Sequence, residues 1–187
     1  MNKPPKDFLI QKYVGKEIIS QVDSLANLRI QIFREFPYLY DGDLDYEKKY
    51  LTVYTQSPRS MALIVRESQT GQVIGATTAL PLTDEFPELQ APFQATGMNL
   101  AQIYYFGESL VLAPWRKRGL GKIFFQKREE QARILGMHLC TFCAVDRATD
   151  HPLTPKDYSP LDPFWRSQGF EPGPLFRHGA KTRDSPK

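Results

Sequence analysis

Residues 108–121, reading E-S-L-V-L-A-P-W-R-K-R-G-L-G, gather the residue types from which a phosphate site is made. Arg116, Lys117, Arg118 and Lys122 crowd cations into one short stretch, and Gly119 and Gly121 lack a Cβ, so a ligand can approach the backbone there. An apolar strand ends before Pro114, and the residues from Leu120 to about Leu135 carry a helical pattern closed by Gly136. The turn therefore delivers backbone amides at a helix N-terminus, where unpaired N–H groups and the positive end of the helix dipole favour an anion. Glu108 lies on the strand that feeds this turn. A carboxylate partly buried on such a strand is pushed toward neutral pKa, which suits a general base, or else it pairs with a nearby Lys or Arg and only holds the strand.

Two familiar phosphate loops do not fit. A G-x-x-x-x-G-K-[ST] loop fails because Ile123 follows Gly121-Lys122 and Arg116 stands where the first glycine belongs. A G-x-G-x-x-G fingerprint finds only its middle portion in Gly119 and Gly121. The stretch instead resembles the pyrophosphate loop of the GNAT superfamily of acyl-CoA N-acyltransferases, in which a strand ending V-x-P and an aromatic precede [R/Q]-x-x-G-x-[G/A] at the head of a helix. Here the match is Leu112-Ala113-Pro114, Trp115 and Arg116-Lys117-Arg118-Gly119-Leu120-Gly121. A second string, F-W-x-x-x-G-F from Phe164 to Phe170, resembles that family's other signature, aromatic-Tyr-x-x-x-Gly-Phe. The order of elements matches the family's over nearly the whole chain.

The resemblance implies an α/β (α+β) fold over a single domain, residues 1–187: a central mixed, mostly antiparallel twisted sheet of six to seven strands flanked by about four helices. It implies transfer of an acetyl group from acetyl-CoA, as co-substrate, to a primary amine by direct attack, with no metal. The CoA diphosphate is expected on the amides of Arg118 to Lys122, supported by Arg116, Lys117, Leu120 and the two glycines. Leu110, Val111 and Leu112 are expected along the pantetheine arm, with a backbone amide near Leu112 facing the thioester oxygen. Such an oriented donor contributes ~3–4 kcal/mol to a transition state. The departure from the family lies in the general acid: Trp165 occupies the position of the usual tyrosine, and indole does not donate a proton in that role. Tyr158, seven residues earlier, is the candidate replacement, with Cys143 or an ordered water as alternatives.

Acceptor choice in this fold is expected from the first two helices and the loops around the cleft. Tyr38, Tyr40, Asp41 and Asp43, with Asp45, Tyr46 and Glu47 behind them, would suit a cationic small-molecule or peptide amine through carboxylate attraction and cation–π contact. The alternative is a helix N-terminus carrying acids for its dipole and tyrosines for packing. His138 and His151 have no partner that spacing identifies.

The elements that must position these residues follow the same order. One or two short strands fall within residues 8–22, and a helix capped by Asp23 or Ser24 carries Leu25, Leu28 and Ile32 at helical spacing. A second helix begins near Asp43, with Tyr46, Tyr50 and Tyr54 stacked along it. Residues 61–65 and 73–78 form a β-hairpin around Ser68–Gly71. Residues 81–102, interrupted by Pro81, Pro87 and Pro92, read as an irregular excursion, and residues 103–112 as a central strand apolar on both faces. Cys140 and Cys143 fall in the strand pattern of residues 137–145, where this spacing points them to opposite faces; a redox pair or zinc site is disfavoured and buried thiols are expected. A proline-rich surface loop, a short helix ending at Gly169, a last strand from Phe170 and a frayed tail from Lys181 complete the chain.

With 187 residues, 41% apolar, 24% charged and a net charge of +3, the chain is of ordinary globular composition and long enough for one well-filled core. The basic surplus is local rather than a stripe, which argues against a nucleic-acid partner. No run of about 18 apolar residues suggests a membrane span, and with no leader pattern at the N-terminus the expected location is cytoplasmic. The resemblance admits a homodimer. The competing reading of another class is a module of the same fold that binds acyl-CoA without turnover, as a sensor or scaffold.

Overall fold

The computed structural model describes residues 7–148 and 150–173. Its frame is a sheet of five strands in the order β1-β2-β3-β4-β5: Phe8–Val14, Met61–Glu67, Val73–Pro81, Ile103–Val111 and Leu139–Thr141. The first three pairings are antiparallel and the last is parallel. β2 and β3 are apolar on consecutive residues and buried over almost their whole length, as strands covered on both faces must be. The hairpin between them turns through Gly71 at φ +72°, a left-handed conformation that favours glycine.

Five α-helices accompany the sheet: α1 Val22–Phe33, α2 Leu44–Gln56, α3 Pro87–Ala95, α4 Leu120–Ile134 and α5 Asp162–Ser167. α1 and α2 pack on each other and on one face of β3 and β4, while α4 covers the opposite face. Asp43 caps α2 as a short acceptor should, its Oδ1 taking the Tyr46 N–H at 2.9 Å. Gly136, at φ +68°, follows the end of α4.

Several expectations are corrected. The first helix is not capped by Asp23 or Ser24: residues Gly15–Gln21 wind as a 3₁₀ segment that runs directly into α1, so no side-chain cap is required at its start. The sheet has five strands among the described residues rather than six or seven. β5 is only three residues long, and Cys143 lies past its end, free and exposed, while Cys140 is half-buried. Residues 170–173, where a last strand was expected to start, are not in a strand; the residues that follow, and the tail from Lys181, lie outside the described residues. β4 is the fourth strand, not the middle one, yet it carries the feature on which the site depends. Thr77 pairs with Ser109 and Ala79 with Phe106, so β4 holds one extra residue opposite β3. That bulge falls at Gly107–Glu108 and turns the strand's side chains over.

Candidate active site

The loop between β4 and α4 begins with a 3₁₀ turn, Ala113–Trp115, in which Pro114 contributes its fixed φ. Lys117 at φ +61° and Gly119 at φ +83° then reverse the chain into the helix. Only the Ile123 amide finds an acceptor one turn back, on the Gly119 carbonyl at 3.2 Å. The amides of Leu120, Gly121 and Lys122 precede it in the first turn, and no side chain caps them. A Cβ on Gly119 would meet nothing within 4 Å, so the space beside it is open. Gly121 serves a different purpose from the expected one: a Cβ there would lie 3.1 Å from the Phe164 ring, so its bareness lets α5 pack on α4.

The cations around the loop are not all free. Arg116 donates from Nη2 to Glu35 at 2.6 Å and from Nε to the Val111 carbonyl at 3.0 Å, which ties the loop to the strand and to the end of α1. Arg118 lies over the Trp115 ring, 4.6 Å from its centre, and reaches Asp7 at 3.4 Å. Lys117 and Lys122 are exposed.

The second part of the site is the edge of β4. β5 pairs only with Ile103, Tyr104 and Tyr105, so residues 106–111 have an edge that β5 does not reach. Of the amides near Leu112, one of which is expected to face a thioester, that of Leu112 itself donates to the Ile74 carbonyl at 2.9 Å and is turned toward β3. Antiparallel alternation directs the Leu110 amide the same way and the Ser109 and Val111 amides outward, to the open edge. Leu110 and Leu112 are buried, Val111 half-buried and Ser109 exposed.

Glu108 is 6% exposed. The bulge places it on the face of α1 and α2, whereas Phe106, stacked by Arg128 and Phe125, faces α4; the two do not share a face as the uninterrupted alternation predicts. One Glu108 oxygen is ion-paired with Arg29 and the other accepts from the Thr78 hydroxyl. The Glu108 amide donates to Thr78 Oγ1 at 3.1 Å, and its carbonyl accepts from Thr77 Oγ1 at 2.5 Å and from Arg128 Nη1 at 3.4 Å. Every polar group of this residue is thus engaged. Arg29 in turn pairs with the fully buried Glu47 and lies over the Tyr50 ring at 4.1 Å. Burial opposes the Arg29 charge, but Tyr50 and Glu47 more than offset it and hold the guanidinium protonated.

Arg29 was missed from sequence, and Glu47 was placed only among the acids on the acceptor side, although a signal for the pair existed. Arg29 sits among Leu25, Ala26, Leu28, Ile32 and Phe33 on the apolar stripe of α1, and a charge on such a stripe must find a buried partner. Of the expected acceptor residues, Asp43 is engaged as the α2 cap, and Asp41 pairs with Arg34 at 3.2 Å on the surface. Tyr38 stacks on Phe33 at 4.3 Å, and burial, with the nearby Glu47, raises the Tyr40 phenol. Tyr158 meets Phe36 edge-on at 4.7 Å, within the segment that Arg147 fastens to the Pro37 and Tyr38 carbonyls at 2.8 and 2.9 Å. Trp165 packs on Phe142 at 5.1 Å. Among the described residues no group of His, Cys, Asp or Glu is arranged to hold a metal ion, and no helix is long and apolar enough to cross a membrane.

This mixed sheet and its flanking helices have the fold of the GNAT-type acetyltransferases. Solved structures bear this out across almost the whole chain. An aminoglycoside N-acetyltransferase in complex with CoA matches 93% of this chain and 94% of its own, at 15% identity and a TM-score of 0.59. An aminoglycoside acetyltransferase from an uncultured soil metagenomic sample, in complex with trehalose, matches 96% and 99%, at 15% identity and a TM-score of 0.58. An acetyltransferase of Trypanosoma brucei matches 94% and 100%, at 12% identity and a TM-score of 0.56. No family model and no curated protein matches the sequence.

Proposed function

We propose that this protein is an acetyl-CoA-dependent N-acetyltransferase acting on a primary amine of a small molecule or peptide. The observation that carries the reading is the conjunction of the uncapped first turn of α4 with the open edge of β4, one strand-length apart on the same loop. The first suits a diphosphate, and the second suits an extended amide-bearing arm that pairs as a strand would. Similar folds are solved with CoA and with a CoA–acetylneamine bisubstrate analogue, which supports both the donor and an amine acceptor.

In this reading the Leu120, Gly121 and Lys122 amides and the Lys117, Arg118 and Lys122 side chains receive the diphosphate. Arg116 holds the loop against Val111 and Glu35. Leu110, Val111 and Leu112 flank the pantetheine arm, and the outward Val111 amide, rather than that of Leu112, is the donor to the thioester oxygen. An acceptor amine, once it has lost the extra proton of its ammonium form, attacks the thioester carbon. The C–N bond forms, the C–S bond breaks, and the thiolate leaves with a single proton, supplied by a phenol that the remaining excess proton on nitrogen then refills. Tyr158 is the side chain we assign to deliver a proton to that sulfur, because Trp165 is packed and cannot. Glu108, with both oxygens engaged, fixes the bulge and the field at the reacting centre.

The experiment is calorimetric titration of the CoA-free protein with acetyl-CoA beside the Gly119→Glu variant, followed by thiol release with an amine panel. Wild-type binding that the variant loses, with thiol release for at least one amine, is expected. A folded wild type that binds no acetyl-CoA would remove the reading.

A further inference from the structure

Beside the Arg29 network lies a carboxylate that no hydrogen bond or ion pair satisfies among the described residues. Glu85 follows the 3₁₀ turn Leu82–Asp84 at the end of β3 and is 4% exposed. Neither of its carboxylate oxygens has a hydrogen-bond partner, and no ion pair reaches it. Its backbone, by contrast, is firmly held: the amide donates to Leu82 and the carbonyl accepts from Gln90 Nε2 at 2.6 Å. The side chain is therefore held in place without compensation. A buried carboxylate left unpaired costs far more than one that is paired, and folds rarely retain one without use.

The groups whose charges couple to Glu85, none of them within hydrogen-bond or ion-pair reach of its carboxylate, come from four elements. α1 offers Arg29, already engaged by Glu47 and Glu108; α2 offers Tyr50 and Tyr54; β4 offers Tyr105; and the segment after β5 offers Cys143. Of the three buried carboxylates, Glu47 and Glu108 are ion-paired with Arg29, and Glu85 feels its charge with no ion pair to a cation among the described residues. Tyr105 is hydrogen-bonded to Cys143, which is exposed. That contact lies where β4 parts from β5, the place where the proposed acetyl transfer occurs.

We propose that Glu85 is the acceptor-binding carboxylate of this site: it receives the ammonium group of a cationic amine and takes up its proton, leaving a neutral amine to attack the thioester. The proposal rests on the acetyltransferase reading for the attack, but not for the binding of the cation. Tyr50, Tyr54 and Tyr105 give the ammonium aromatic and hydroxyl neighbours, as an amine leaving water requires. Desolvation pushes the Glu85 carboxyl up to about 7, only partly opposed by Arg29, so near neutral pH it both holds and releases a proton.

The test uses calorimetry of the full chain with spermidine and with kanamycin at pH 7, in two buffers of different ionisation enthalpy, on wild type and Glu85→Gln. The wild type should bind at least one of the two amines and release about half a proton per amine as the cation fixes Glu85 ionised. The variant, nearly identical in shape and relieved of a buried charge, should fold, bind at least tenfold more weakly and release none. With acetyl-CoA present, kcat/KM for the amine should rise through about pH 7 in wild type and lose that limb in the variant. Equal binding and equal proton release in the variant, or no amine bound by wild type, would overturn the proposal. Amine binding with proton release, lost in Glu85→Gln but without thiol release from acetyl-CoA, would uphold Glu85 and remove the transferase reading instead.

Discussion

At the scale of single residues, the buried charges of this protein divide into those with partners and one without. Glu85 ionises near 4.5 in an unfolded chain and near 7 in the folded one, chiefly because burial disfavours its charge. Between those values the folded state keeps a proton that the unfolded state has released. The stability attached to this group is thus full below about pH 4.5, declines as pH rises toward 7 and is absent above it, a span of about 3 kcal/mol at most. Urea denaturation at pH 5 and pH 8 should show Glu85→Gln gaining on wild type at the higher pH. Arg29 makes the opposite case. Arg29→Met strands Glu47 and Glu108 without their cation and should cost about 3–5 kcal/mol in the same assay. Of this network the sequence offered only the pairing of Glu108 with a nearby Lys or Arg, as one of two readings and without the partner, although Arg29 left a trace as the charge on the apolar stripe of α1. Glu85 left none: it sits in a turn, where no periodicity marks a residue as buried, and its neighbours come from positions 29, 50, 54, 105 and 143.

At the scale of elements, the turn from β4 into α4 was legible because local chemistry fixes it: proline to stop the strand, a left-handed glycine to enter the helix. The hairpin, the Asp43 cap and the glycine that ends α4 were legible for the same reason. What local pattern does not contain is the β4 bulge, which arises from pairing with β3 and reversed the expected side of Glu108. The roles of individual glycines were likewise hidden. Gly121→Val should push the Phe164 ring from α4 and destabilise the fold by about 1–3 kcal/mol, seen as a lowered Tm. Gly107→Ala should be worse tolerated than its size suggests, because a Cβ there collides with the Tyr54 and Thr78 hydroxyls beside the bulge.

At the scale of the whole molecule, the resemblance in the sequence and the likeness to solved structures meet on the fold, from β1 through α5. Strand count was the poorest expectation: β5 ends after three residues, and residues 170–173, where the last strand was expected to start, are not in a strand. A ligand that binds only the folded chain must raise its melting temperature. Acetyl-CoA at about one hundred times its Kd should add ~2.7 kcal/mol and lift Tm by about 5–10 °C, a shift that Gly119→Glu should abolish. Thermal melts with and without the nucleotide check this without any acceptor.

The parting of β4 from β5 carries one more consequence, visible in deuterium uptake. Along residues 109–112 consecutive amides face opposite ways: Leu110 and Leu112 toward β3, Ser109 and Val111 toward the open edge. In the free protein, labelling should therefore alternate residue by residue along one strand, with the inward pair shielded for as long as the sheet holds together and the outward pair labelled early. A donor arm lying in the gap would pair with those outward amides and complete the ladder. Saturating acetyl-CoA should then erase the alternation, so that a strand with one slow and one fast side becomes uniformly slow.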